Sequence, residues 1–525
     1  MQKPAAGMVI RWGTLVLAAF PLVWLFASEP AFWRPHQVEW IRIFDEAAFV
    51  RLRNTLLYSL LMMAASMLFA APFIALHYHL SGQKRWVLAL FSLLPLSFPP
   101  FGVAVAWSTW VGLLQGQKGR ILWSGGEGAE SWLFSIPGAA VVTALALWPV
   151  AYFLCAASGG PSRASVEAGR IHLPRGLALR VIWWPSLRPA VVTAAALLLC
   201  IGFIQFEAPA LLQVDVYPLE IYIRFASLMN EFEGILLALP YALILPLLVW
   251  TLHRTLRLPW PGLQQPAQAL SSPAWIGGLG LCCIAMMALS AVAPLTGLAW
   301  HASGSAQSLA DITRQSNTVI RSVSIALGAA ALVLIGGLAF SKDDSPRLRS
   351  AASWLSLLLF VFPAVVIAAA WLRVRSLSPG THSAFVSYSA MLLAYLAHYF
   401  VLGYAAAVLL WRHFGHREQE ALALAPASWW TRIRRVFAPG LWRPSLLPLA
   451  LIALFVWKDL GIANLMQPPG GETLTIQYYS LLHYGSEPRT AAVGLLLMLT
   501  PALLGTVLLV LGLSLQYFRH RRAEA

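Results

Sequence analysis

The sequence predicts an all-α integral membrane protein with about twelve transmembrane helices, arranged as two parallel six-helix repeats. Three observations predict this. Of 525 residues, 59% are hydrophobic and only 11% are charged. The apolar residues gather in runs long enough to cross a bilayer, and landmarks of the first half return in the second. A soluble domain carries roughly 25% charged residues, so a soluble globular reading is excluded.

A spanning helix needs about 20 mostly apolar residues. Twelve such runs lie near 12–29, 54–79, 86–113, 134–158, 189–213, 233–252, 273–298, 317–341, 353–372, 385–411, 444–464 and 491–516. They are continuous, not alternating with period two, which selects helices over a barrel. The first run, preceded by Lys3 and Arg11, has the outline of a secretory h-region. Its removal would leave five spans in the first half against six in the second, so the repeat favours retention. Counted over loops with the N-terminus inside, the cytoplasmic side holds 23 Lys/Arg and 6 Asp/Glu of the chain's 36 and 21. The net charge of +15 is thus a signal of topology, with both termini cytoplasmic, and nucleic-acid binding is not needed to explain it.

The repeat is read from three landmarks. FPPFGVAVAW at Phe98 returns as FPAVVIAAAW at Phe362, Asn54-Thr55 returns as Asn317-Thr318, and a basic loop beginning at Glu167 returns at Glu420. The halves are 1–252, with a basic loop at about 159–188, and 273–525, with a basic loop at about 412–443. A Pro- and Gln-rich linker, 253–272, joins them. Two such halves leave a seam at the bilayer midplane, where transporters place a substrate path.

Each basic loop reads as helix, turn, helix on the cytoplasmic face. In the first, Ser165 is a candidate cap, Pro174-Arg175-Gly176 breaks the run, and a second helix from Leu177 ends at Trp184, before Pro185. In the second, the break falls at Pro426-Ala427-Ser428, and a helix follows from Trp429 to Phe437. Positive-inside anchoring is the plain alternative for any one arginine, Arg170 and Arg432 among them, which are otherwise candidates for coupling to a partner. It does not explain the repeated Glu-Ala start, the central break and the apolar faces built from Val181, Ile182 and Trp183 or from Ile433, Val436 and Phe437. A short amphipathic hairpin of this kind suits docking into a groove on a partner protein.

Charges at or within spans are costly and therefore functional candidates. Glu207 follows the fifth span, and Lys458-Asp459 stands at the matching place in the second half. Matching sites of this kind face one another across the seam, and the expectation is that these three line a gate or path near its outer end; the plain alternative is solvated span termini. Pro99, Pro100 and Pro363 break long apolar runs and are expected to kink helices beside that path. His77 and His79 lack a readable third metal ligand, and Tyr478, Tyr479, His483 and Tyr484 read equally as belt aromatics or as partner contacts. Cys155, Cys200, Cys282 and Cys283 lie in apolar runs without metal or redox spacing, so small buried side chains are expected. No catalytic constellation stands out, and none of the five lysines completes a GxxxxGK[ST] phosphate loop.

Glu167-Ala168-Gly169 with Val181 to Pro185, and Glu420-Ala421 with Val436 to Pro439, resemble the coupling loops of permease subunits of ATP-binding-cassette (ABC) importers. In that pattern Glu-Ala-Ala is followed after three residues by Gly and, about nine residues on, by Ile or Val and Leu-Pro. Here the third Ala is Gly169 or Leu422, and the Gly position holds Leu173 or Pro426. Proline at Pro174 and Pro426 rebuilds the turn. Nearly the whole chain resembles the fused two-half permeases of the ferric iron, thiamine and putrescine group. NTLLYSLLMMAASMLFAAPFIAL, SFPPFGVAVAW and WKDLGIANLMQPPGGETLTIQYYSLL are similar to the iron(III) branch.

That resemblance implies a type I importer permease in the bacterial inner membrane, with no enzymatic site and no bound cofactor. ATP and Mg would be held by two separate ATPase subunits, and a periplasmic substrate-binding protein would dock on the opposite face. Glu167 and Glu420 would sit deepest in the ATPase clefts. An ion-coupled secondary transporter is the alternative class, and thiamine, polyamine or another small solute the alternative substrates.

Overall fold

The computed structural model describes residues 20–25, 27, 45–80, 83–114, 130–158, 160–172, 174, 177, 179–256, 273–303, 314–341, 346–377, 383–413 and 438–504. Among them the regular structure is entirely helical. The elements used below are α1 (Glu46–His79), α2 (Gln83–Ser97), α3 (Pro100–Leu114), α4 (Ile136–Ala157), α5 (Arg163–His172), α6 (Trp184–Ile204), α7 (Glu207–Leu211), α8 (Glu231–Leu256), α9 (Pro273–Met287), α10 (Ser316–Ser341), α11 (Pro346–Val361), α12 (Ala364–Ser376), α13 (Ala384–His413), α14 (Ala438–Trp457), α15 (Gly461–Met466) and α16 (Leu474–Tyr484).

Six helices among the described residues are long and apolar enough to cross a membrane, and up to eight if each of two bent pairs is one span. The chain is a multi-pass α-helical membrane protein by that measure. The runs 86–113 and 353–372 are bent where kinks were expected, by 82° between α2 and α3 and by 104° between α11 and α12. Pro99 and Pro100 stand at the first break and Pro363 at the second, since a proline supplies no N–H and its ring clashes with the preceding turn. The first expected span, the linker and the second basic loop lie largely outside the described residues.

Local sequence explains where helices start. Asp45 caps α1, its Oδ1 accepting from Ala48 N at 2.7 Å, with Glu46 in the first turn, as the helix dipole favours. Ser135 caps α4, and a proline occupies the first turn, where a missing N–H costs nothing.

The same packing scheme occurs in both halves. The most extensive helix pairs are α1 with α4 and α10 with α13. α1 also packs on α6 as α10 does on α14; α4 receives α2 and α3 as α13 receives α11 and α12. The short helix after each break follows suit, α7 on α3 and α15 on α12. Close approach is built from small residues: a Cβ on Gly403 would lie 2.1 Å from the backbone oxygen of Val333.

A similar hydrogen-bond pair occurs in each half. Thr55 Oγ1 bonds Arg51 O and accepts from Tyr217 N at 2.8 Å, while Ser322 Oγ bonds Thr318 O and accepts from Leu474 N at 2.8 Å. Each donating N–H opens a short helix. Thr55 and Ser322 thus make the same pair of bonds, and Ser322 lies one helical turn beyond Thr318 on the same helix face.

Candidate functional site

The two bends and the two charged breaks converge on one cavity of about 80 Å³. Pro100, Glu207, Lys458 and Asp459 line it, with Gln205, Ala364, His398 and Tyr399 among the other walls. Pro99 and Pro363 adjoin Pro100 and Ala364 in the chain. Leu147 and His398 stand midway along α4 and α13, so the cavity sits at the middle of the bundle, deeper than the outer span ends at which the sequence places these charges.

Each polar group is held by a helix interruption. α6 ends at Ile204, and α7 begins with Glu207, whose carboxylate faces the backbone N–H of Leu460 and the Lys458 ammonium. α14 ends at Trp457, α15 begins at Gly461, and Lys458-Asp459 fills the gap. Asp459 Oδ1 accepts from Ile462 N at 2.8 Å and Oδ2 from Tyr399 OH at 3.1 Å. Lys458 Nζ donates to Leu96 O at 3.2 Å and lies 4.7 Å from the centre of the Phe455 ring. Lys458 and Asp459 are 7% and 8% exposed, so the reading of these two as solvated span ends is overturned. The reason is the break itself, which turns the chain inward and uses the carboxylate as acceptor for the first N–H groups of α15.

His398 and Tyr399 were not singled out by sequence reasoning. His398 Nδ1 lies 3.2 Å from Leu359 O, which fixes the Nδ1–H form of the ring. An ionisable side chain inside an apolar run was the available signal.

The first basic loop is partly described. α5 carries Glu167, Ala168, Gly169 and Arg170; Glu167 and Ala168 are exposed and Gly169 is buried. Its cap is Ser162, whose Oγ accepts from Ser165 N at 3.2 Å, in place of the expected Ser165. Pro174 is exposed beyond the helix end. The second element does not stop before Pro185: a widened turn over Leu179–Trp183 runs into α6, where Pro185 occupies the first turn and no N–H is required. Ile171, Leu177, Val181 and Trp184 are exposed, while Trp183 packs against Tyr78 at the end of α1. Glu420, Ala421, Pro426 and Arg432 lie outside the described residues.

Other candidates are dispersed. His77 Nδ1 pairs with Tyr152 OH at 3.1 Å, and among the described residues no three His, Cys, Asp or Glu side chains are grouped to hold a metal. Tyr478 is buried, whereas His483 and Tyr484 are exposed. Cys155, Cys200 and Cys283 are buried, and Cys282, expected to be buried, is exposed on α9. No protein-family model matches the chain, and no curated protein is similar to it.

Proposed function

We propose that the chain is the permease of an ATP-driven importer, with halves 1–252 and 273–525 that rock about the central cavity. The observation that carries this reading is the convergence of both proline-broken helices and both charged breaks on one mid-bundle cavity. Discontinuous helices meeting at a repeat interface are the recurrent way transporters build a substrate site. The recurrent helix pairings and the Thr55 and Ser322 bonds support a tandem duplication of six spans per half, of which the described residues supply part.

Coupling to ATP is assigned to the basic loops. α5, with exposed Glu167 and the exposed apolar side chains Ile171, Val181 and Trp184 nearby, offers a docking face at the opposite end of α1 from Arg51 and Thr55. Two ATPase subunits holding ATP and Mg would engage this loop and its counterpart at Glu420, and a periplasmic binding protein would deliver the substrate, for which we propose ferric iron. The test is ATP hydrolysis and uptake by the reconstituted complex. A cavity holding Glu207 and Asp459 at mid-bundle also suits an ion-coupled carrier, which needs buried carboxylates. Uptake driven by an ion gradient without ATP selects that second reading.

A further inference from the structure

Proline at position 100 has a consequence for another residue. In a continuous helix Leu96 O would accept from the N–H of residue 100, but Pro100 has none. The carbonyl is left facing the interior, where an unpaired acceptor is costly. Lys458 Nζ, from the other half of the chain, fills the vacancy at 3.2 Å. The second bend poses the same problem and solves it differently: Pro363 strands Leu359 O, and His398 Nδ1 meets it at 3.2 Å from within the same half. Of the two bends, then, the first is capped across the seam and the second is capped locally.

We propose that Lys458 is a latch between the halves: its ammonium closes the cavity by capping the carbonyl that Pro100 strands, and must leave Leu96 O before the halves can part there. An ammonium is suited to this task because it is held by direction as well as by charge. Leu96 O in the first half and the face of Phe455 in the second hold it, so it is bound from both halves at once. Asn464 Nδ2 donates to Tyr222 OH at 2.8 Å and Trp110 Nε1 to Ala293 O at 2.6 Å, and these other ties across the seam do not pass through Lys458. Losing the latch therefore loosens the cavity and leaves the rest of the seam joined. The proposal rests on the reading of this cavity as the place where the halves part.

The test is amide hydrogen exchange of the full chain in lipid discs, without nucleotide, ATPase or substrate, so that it succeeds or fails apart from the transport reading. Lys458→Met is expected to speed exchange in peptides covering 94–106 and 455–464 by about tenfold or more, the scale of a lost charged hydrogen bond. Peptides around Thr55 and Ser322 keep their wild-type rates, and Lys458→Arg, which keeps a cationic donor, restores protection at the cavity. Unchanged exchange at 94–106 in Lys458→Met, an equal rise along the whole chain, or failure of Lys458→Arg to restore protection overturns the proposal.

Discussion

Tyr399 and Asp459 meet at 3.1 Å, hydroxyl to carboxylate, at the wall of a cavity deep in the bundle. The contact joins the middle of α13 to the gap between α14 and α15, and the other oxygen of Asp459 receives the N–H of Ile462. One carboxylate thereby fixes both the start of a short helix and the position of the neighbouring Lys458.

Asp459→Asn keeps one acceptor oxygen and a good capping side chain, whereas Asp459→Ala keeps neither. The alanine variant is expected to lose about 2 kcal/mol or more of stability, the scale for stranding buried donors, and to lose uptake. The asparagine variant is expected to retain most of the stability and lose uptake. Thermal unfolding in detergent, paired with vesicle uptake, checks both.

Thr55→Val and Ser322→Ala each leave a buried backbone N–H without its acceptor. A loss of about 1 to 3 kcal/mol is expected from each. The sites lie in different halves, so the double variant should show additive losses. Equal single effects would mark the two as equivalent positions, and a silent Ser322→Ala would refute the equivalence.

Gly403→Val forces a side chain into the backbone of Val333, where even a Cβ would lie at 2.1 Å. Overpacking of this kind costs about 1 to 3 kcal/mol. Gly277→Val, in α9, where a Cβ meets nothing within 4 Å, is the matched control and is expected to be nearly neutral. Melting temperatures of the two variants should separate clearly.

Val181→Asp and Ile171→Asp place a charge on the exposed face beside α5 without touching the core. Each is expected to abolish copurification of an ATPase subunit while leaving the melting temperature of the chain unchanged. Retained copurification in both would remove this face from the docking surface.

Much of the site was legible in the sequence for a simple reason. Prolines in apolar runs and charges beside span ends are anomalies against a uniform background, and Pro100, Glu207, Lys458 and Asp459 all stood out that way. That they face one another across the seam was expected from their matching positions; their depth was not legible, because it depends on bends of 82° and 104° that hydropathy cannot measure. The partner of Lys458 was hidden too: Leu96 is 362 residues away, and its carbonyl matters only because Pro100 fails to bond it. His398 passed unnoticed among the apolar residues of α13, although an intramembrane histidine is itself a signal. The cap of α5 was misplaced by one turn, since Ser162 and Ser165 both fit the local pattern and only backbone geometry separates them.

The central claim, an importer permease driven through its basic loops, is tested most directly by ATP hydrolysis of the purified complex in lipid discs. Binding protein loaded with ferric iron or with thiamine is added to wild type and to the Glu167→Ala, Glu420→Ala double variant. The account predicts stimulation by the iron-loaded protein that disappears in the double variant while the complex still assembles. Absence of any copurifying ATPase, with uptake following an ion gradient, would contradict it.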